Sequence, residues 1–142
     1  PFDAYSGDLQ IGNNVAGLAA SAIITAIDFN VSNSFAPTFV VGSDETPALE
    51  VGRAEVTGSF SAYFEDAALI NRFLNETETS LEVSVTDAAS VVNSYAFTFP
   101  RVKINSADVG VDGPTSRIIS LSFTSLFDTA TSTNLKITRT DT

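Results

Sequence analysis

The chain of 142 residues contains no cysteine, histidine, tryptophan or methionine. Without cysteine it has no disulfide, no thiolate metal site and no thiol nucleophile. Without histidine it lacks the commonest general base and the commonest metal ligand, so Ser-His-Asp and Cys-His arrangements are excluded. Neither lysine has a serine three residues before it, which excludes the serine–lysine pattern as well. These absences predict a protein that is not an enzyme and that uses no cofactor.

Positive charge is scarce, with 7 basic residues against 17 acidic ones and a formal net charge of −10. The first 52 residues contain no lysine or arginine, which argues against a signal peptide. The acidic balance argues against a nucleic-acid-binding face. No run approaches the roughly 18 apolar residues of a membrane span, so no membrane partner is expected. The few cations are interpreted either as local partners of the acidic excess or as contacts to a neighbouring subunit.

Apolar residues make up 44% of the chain, enough for the core of one domain. Seven or eight segments alternate apolar and polar residues with a period of two, which predicts strands with one buried face. The alternation changes parity after Pro100, which indicates a β-bulge. The period becomes helical over residues 64–76, where one apolar stripe consists of Ala67, Ile70, Phe73 and Leu74.

This pattern predicts a mainly β fold of two packed antiparallel sheets, either a sandwich or a partly closed barrel, flanked by one α-helix. Residues 1–20 are rich in glycine and asparagine and are predicted to form an irregular N-terminal arm, with the β domain over 21–142. The chain begins with Pro1 rather than Met, so the N-terminus is interpreted as processed or as part of a longer subunit.

The loop from Asp108 to Gly113 has the aspartates and glycines of some calcium sites. A helix-loop-helix calcium site fails here, because its third position would be Gly110 and its twelfth Ile119. The loop is interpreted as a hairpin turn, and a weak ion site involving Asp108 and Asp112 stays open.

Small polar side chains occupy one face of several predicted strands. One interpretation is an ordinary solvated sheet face; the other is a water-filled inner wall shared by several copies of the chain. The candidate residues for such a wall are Glu55, Thr57, Ser59, Glu82, Ser84 and Thr86.

The order of segments resembles that of tail tube proteins from long-tailed bacteriophages. The resemblance rests on a strand-helix-strand segment from Val56 to Thr86 (VTGSFSAYFEDAALINRFLNETETSLEVSVT) and on three downstream blocks. These blocks are SYAFTFPRVK at 94–103, ISLSFTSLFD at 119–128 and LKIT at 135–138. It covers about residues 50–140 and does not extend to residues 1–20.

The resemblance implies a structural virion protein that self-assembles into hexameric rings, stacked into a tube whose lumen carries DNA during ejection without binding it. It implies other phage tail proteins as partners and assembly in the host bacterial cytoplasm. In the family the loop between the second and third strands reaches the adjacent ring. That loop would here consist of Gly42, Ser43, Asp44, Glu45, Thr46, Pro47 and Ala48. The alternative is a monomeric β-sandwich that serves as a binding or adhesion module.

Overall fold

The computed structural model describes residues 2–20, 24–34, 36–37, 49–50, 52–63, 68–87, 90–110 and 117–141. The described part is mainly β, as the alternation predicted. Its elements are β1 (Phe2–Gly12), a 3-10 turn (Val15–Gly17), β2 (Ala19–Ala20), β3 (Ile24–Ser32), β4 (Ala36–Pro37), β5 (Leu49–Glu50), β6 (Glu55–Tyr63), α1 (Ala68–Leu74), β7 (Thr79–Asp87), β8 (Ser90–Val109), β9 (Ile118–Ser125) and β10 (Lys136–Thr140).

One antiparallel sheet contains every described strand except β4 and β5, which pair separately. Its order is β2-β1-β7-β8-β9-β6-β3, and β10 also pairs with β8. The long strand β8 divides the sheet, because β7 and β10 pair with its first half and β9 pairs with residues 102–109. We call β3, β6, β9 and residues 102–109 of β8 the β6 half-sheet. The β7 half-sheet consists of β1, β2, β7, β10 and residues 90–101 of β8.

The sheet curls so that its two halves pack face to face. The ring centroid of Phe29 on β3 lies 5.3 Å from that of Phe97 and 5.4 Å from that of Phe99, both on β8. Two strands separate β3 from β8, so a flat sheet would hold them about 14 Å apart. The prediction of two separate sheets is therefore wrong in detail: the two layers belong to one sheet, because β8 runs through both.

Two β-bulges let the 20-residue strand β8 follow this curl. Phe97 and Phe99 contact the core, then Val102 and Ile104, then Ala107 and Val109, so the inward parity changes twice. The first change is a register shift opposite β7 and the second lies opposite β9. Pro100, which has no N–H, lies in the first bulge, and the buried Ser80 hydroxyl donates to its carbonyl oxygen at 2.6 Å. This confirms the bulge predicted from the parity change.

The core lies between the two half-sheets and is closed in part by α1. Ile70 and Phe73 pack against the core, as the apolar stripe predicted, and Leu69, which the stripe did not include, is buried. Leu74 was assigned to the same face, but it is 67% exposed, so that assignment is wrong. The helix ends at Leu74 because Glu76, at φ 50°, turns the chain away through hydrogen bonds from Glu76 and Thr77 to Phe73 and Arg72. Ala67 lies outside the described residues.

The irregular arm predicted for residues 1–20 is wrong for Phe2–Gly12, which form strand β1 in the main sheet. Leu9 is opposite Val83 and Ile11 is opposite Leu81, and both β1 residues are buried. The edge of β7 supplies hydrogen-bond partners for the β1 backbone, which this short apolar alternation alone did not reveal.

Candidate functional site

Most of the outer face of the β6 half-sheet is a polar surface. Along β6, Val56, Phe60 and Ala62 are buried in the core, so the alternate residues point outward. The sheet register aligns these with the outward residues of β3, β9 and β8. We call this surface the β6 polar face; it consists of Asp28, Asn30, Glu55, Thr57, Ser59, Ser61, Lys103, Ser106, Asp108, Ser120, Ser122 and Thr124.

Hydrogen bonds between hydroxyl groups cross this face from strand to strand. The Ser61 and Ser120 hydroxyls are 3.1 Å apart, and those of Ser106 and Ser122 are 2.7 Å apart. The amide of Asn105, the extra residue of the second bulge, donates to the Thr124 hydroxyl at 2.8 Å. Because short side chains bond to one another along the sheet, they stay close to it and leave a smooth, hydrated surface.

Acidic groups exceed basic ones on the β6 polar face. It carries the carboxylates of Asp28, Glu55 and Asp108 and one ammonium group, that of Lys103. The Lys103 amine lies 2.9 Å from a carboxylate oxygen of Glu76 in the turn after α1, which offsets its charge. The face therefore has a net negative charge.

A second polar surface covers the outer face of the β7 half-sheet and includes Glu82, Ser84 and Thr86. Here the Thr98 hydroxyl donates to the Glu82 carboxylate at 2.7 Å, and the Gln10 amide donates to that of Asp8 at 3.1 Å. The Ser84 hydroxyl contacts the Asp8 carbonyl oxygen at 3.4 Å. Side chains on this surface are longer and more varied than the hydroxyls of the β6 polar face.

The six candidate wall residues do not lie on one surface. Glu55, Thr57 and Ser59 are on β6, whereas Glu82, Ser84 and Thr86 are on β7, with β8 and β9 between them in the sheet. Because the inner faces of the two half-sheets pack on each other through Phe29 and Phe97, their outer faces point away from each other. One channel wall can therefore contain only one of the two sets.

Two ion pairs hold the turn after α1 against the first bulge of β8. The Arg101 guanidinium donates to both carboxylate oxygens of Glu78, at 2.8 Å and 2.6 Å. The second pair joins Lys103 to Glu76. Arg139 similarly pairs with Asp141 at 2.6 Å. For these three cations the interpretation as local partners is confirmed.

Ion pairs and hydrogen bonds shift the pKa values of four groups in this region. Hydrogen bonds from Arg101 lower the pKa of Glu78, and one from Lys103 lowers that of Glu76. The pKa of Asp128 is lowered by hydrogen bonds from the Thr131 hydroxyl and backbone N–H, and the Glu78 carboxylate raises the pKa of Arg101. Each shift favours the form already charged at neutral pH, so none of these four groups is poised to transfer a proton.

A polar cleft of about 260 Å³ opens beside these ion pairs, lined by Asn13, Asn14, Glu78, Thr79, Pro100, Arg101, Asp128 and Thr129. Among the described residues, no group of three or more carboxylates could hold a metal ion. Asp108 lies on the β6 polar face, while Asp112 and the predicted ring-stacking loop at 42–48 lie outside the described residues. Within the described part of the chain, no helix has the length and apolar character needed to cross a membrane.

The described residues define a β protein whose curled antiparallel sheet carries one short helix and an acidic outer face. The family model for phage tail tube proteins matches residues 1–125, so the chain belongs to that family and is a structural subunit of a phage tail tube. The match includes residues 1–20, beyond the part of the chain on which the resemblance rested. No curated protein matches the chain.

Solved structures have the same fold. The SPP1 tail tube is 10% identical over 100% of this chain and 80% of that one, with a TM-score of 0.65. The tail of an empty gene transfer agent particle, refined with C6 symmetry, is 14% identical over 96% and 98% of the two chains, with a TM-score of 0.63. The virion of a native gene transfer agent particle gives 16% identity, 92% and 95% coverage and a TM-score of 0.60.

Proposed function

We propose that this tail tube subunit forms hexameric rings that stack into a tube, and that the β6 polar face lines the lumen. Genomic DNA passes through this lumen without specific binding. The observation that carries the proposal is the β6 polar face itself: short, mutually bonded hydroxyl side chains with an acidic excess. Such a surface offers a passing duplex few apolar contacts, and its one cation, Lys103, is paired with Glu76.

The edges of the β6 half-sheet favour its role as the wall. Among the described strands, none pairs with the outer edge of β3 or with the second edge of residues 103–109 of β8. The four strands alternate in direction, so β3 and β8 run antiparallel. The β3 of one copy can therefore pair with β8 of the next and continue an antiparallel sheet around a ring. Sixfold symmetry in the similar gene transfer agent tail supports six copies per ring.

On this arrangement the set Glu55, Thr57 and Ser59 faces the lumen, and the set Glu82, Ser84 and Thr86 lies on the far side of the subunit. The β7 surface suits a wall less well, because the side-chain hydrogen bonds described on it involve carboxylates and an amide rather than pairs of hydroxyl groups. It is instead available to solvent or to other tail proteins.

Electrostatics predicts that DNA does not adhere to the tube. Six chains at −10 give about −60 formal charges per ring, and repulsion of phosphate acts over roughly 8–10 Å at physiological salt. We expect no retardation of duplex DNA by the protein in a low-salt gel-shift assay. A variant with Asp28, Glu55 and Asp108 all replaced by lysine should retard DNA and serves as the positive control. Tight DNA binding by the unmodified protein would contradict a non-adhesive lumen.

Residues 42–48 are proposed as the ring-stacking loop. Their connection leaves the sheet after Ser32 on β3 and returns at Glu55 on β6, which pair at one end of the β6 half-sheet. Deleting Gly42–Ala48 should abolish rods in negative-stain micrographs while the circular dichroism spectrum and melting temperature stay unchanged. Replacing the loop by a glycine–serine segment of equal length controls for loop length and should also prevent stacking. Unchanged rods in the deletion variant would refute the loop assignment.

Negative-stain microscopy of the unmodified protein tests the whole proposal. Rings or rods of uniform width are expected as the concentration rises. Compact single particles at every concentration would instead support the alternative, a monomeric binding or adhesion module.

A further inference from the structure

The two ends of the β6 half-sheet differ in chemistry. At the first end lie Ser32, Glu55 and Ser125, where β8 bends into the β7 half-sheet. At the second end lie Ile24, Tyr63, Ile118 and Val109. If this half-sheet forms the lumen wall, its two strand ends are the two rims of a ring. We call them the Glu55 rim and the Tyr63 rim.

The Tyr63 rim carries two exposed apolar side chains side by side. Tyr63 on β6 is directly opposite Ile118 on β9, and they are 38% and 41% exposed. Both point outward, because their neighbours Ala62 and Ile119 are fully buried. Next to Ile118, Arg117 is also exposed. Further along the same two strands the outward residues are hydroxylic, from Ser61 and Ser120 as far as Thr57 and Thr124. Among the outward residues of β6 and β9 that the structure describes, the apolar pair is thus confined to one rim.

We infer that Tyr63, Ile118 and Arg117 form the docking surface for the Glu55 rim of a second copy of this chain, in the adjacent ring. The inference rests on the proposed ring stacking and adds to it the surface that receives the neighbouring ring. Rings that stack with one polarity necessarily place unlike rims against each other, because the interface is heterologous.

The Glu55 rim has the complementary features. Glu55 is exposed there and can meet Arg117, and Phe127, which follows Ser125 at the end of β9, is 52% exposed and can meet the apolar pair. The connection at 33–54 leaves from this rim, and its sequence contains the acidic residues Asp44, Glu45 and Glu50 and the single basic residue Arg53. The two rims of one subunit are about 26 Å apart along β6, at roughly 3.3 Å per residue, so they cannot contact each other within that subunit. Contact between unlike rims therefore requires two copies of the chain.

The test compares substitutions of the two apolar residues of the Tyr63 rim with the substitution of an exposed isoleucine elsewhere. Ile118→Ser and Tyr63→Ser should each raise the protein concentration needed for rod formation by about tenfold or more, as truncation of a central interface residue does. Ile137→Ser is the matched control, because Ile137 on β10 is 58% exposed and lies on the other half-sheet. Sedimentation of rods, negative-stain microscopy and circular dichroism are measured for all three variants.

A charge pair provides the second comparison. Arg117→Glu should weaken rod formation, whereas Lys136→Glu, an equal change at an exposed cation of β10, should leave it unchanged. Raising the salt concentration should reduce the difference between these two variants, because ionic contacts are screened.

The results separate the inference from the proposed function. Folded Ile118→Ser and Tyr63→Ser subunits that still form rings but no longer stack support the docking surface. The docking surface is refuted if these variants form rods as readily as the unmodified protein, or if their rod formation is weakened no more than that of Ile137→Ser. Either result leaves the proposed tube function standing. If Ile118→Ser and Tyr63→Ser do not fold, ring formation and rod formation by Arg117→Glu test the docking surface instead. An unmodified protein that forms neither rings nor rods instead overturns the proposed function.

Discussion

Replacing Phe99 by alanine is expected to lower the free energy of unfolding by about 3–5 kcal/mol. The Phe99 side chain is fully buried, and its ring centroid lies 5.4 Å from that of Phe29 and 5.6 Å from that of Phe123. These rings belong to β3 and β9 of the β6 half-sheet, so Phe99 joins the two layers of the curled sheet. Its loss leaves a cavity where the halves meet and removes two edge-to-face ring contacts.

Urea denaturation followed by circular dichroism measures this effect, with Phe127→Ala as the matched control. Phe127 is 52% exposed, so the same chemical change there should cost well under 1 kcal/mol in the isolated subunit. Equal losses in the two variants would mean that the contact between the halves through Phe99 does not stabilise the fold.

Gly58→Ala is expected to destabilise the subunit by about 1–3 kcal/mol, toward the upper end of that range. A Cβ at this position would lie 2.5 Å from the Asp28 carbonyl oxygen and 2.6 Å from the Phe123 ring. The first obstacle is backbone, which no change of rotamer removes. Either β3 must move away from β6 or the Phe123 ring must leave its packed position.

Thermal unfolding of Gly58→Ala should therefore show a lowered melting temperature, and the variant should form fewer rods because β3 is the proposed pairing edge of the subunit. Thr57→Ala, one residue away on the outward face, is the control and should leave the melting temperature nearly unchanged. A Gly58→Ala protein as stable as the unmodified one would show that β3 and β6 have room to separate.

The strands of the β6 half-sheet were predictable because each has one buried face. Buried apolar residues alternate with polar residues along two of these strands. They are Val56, Phe60 and Ala62 on β6 and Ile119, Leu121 and Phe123 on β9. The parity change after Pro100 was visible for the same reason. Such local periodicity needs no knowledge of the partner strand.

Features that depend on distant contacts were not predictable in the same way. Within residues 8–12 of β1, whose side chains the structure describes, Leu9 and Ile11 are the buried apolar residues. The residues of β7 that pair with them lie some 70 positions away in the sequence. The exposure of Leu74 depends on where the helix ends, which is set by the turn at Glu76.

For the candidate wall, alternation predicted which residues of each strand share a face, but not which strands share a surface. The separation of Thr57 and Ser59 from Ser84 and Thr86 follows from the bend in β8, a property of the whole sheet. The function of residues 42–48 stays a prediction.

The two bulges of β8 together determine which of its side chains face the core. Each extra residue displaces the inward pattern by one position, and the second displacement cancels the first, so odd-numbered residues face the core both before Pro100 and after Asn105. Loss of one residue at a single bulge would exchange the inward-facing and outward-facing side chains of β8 on one side of that bulge. Loss of one residue at each bulge would change mainly the residues between the two bulges. Among proteins of this kind, changes in the length of β8 should therefore be tolerated more readily in matched pairs than singly.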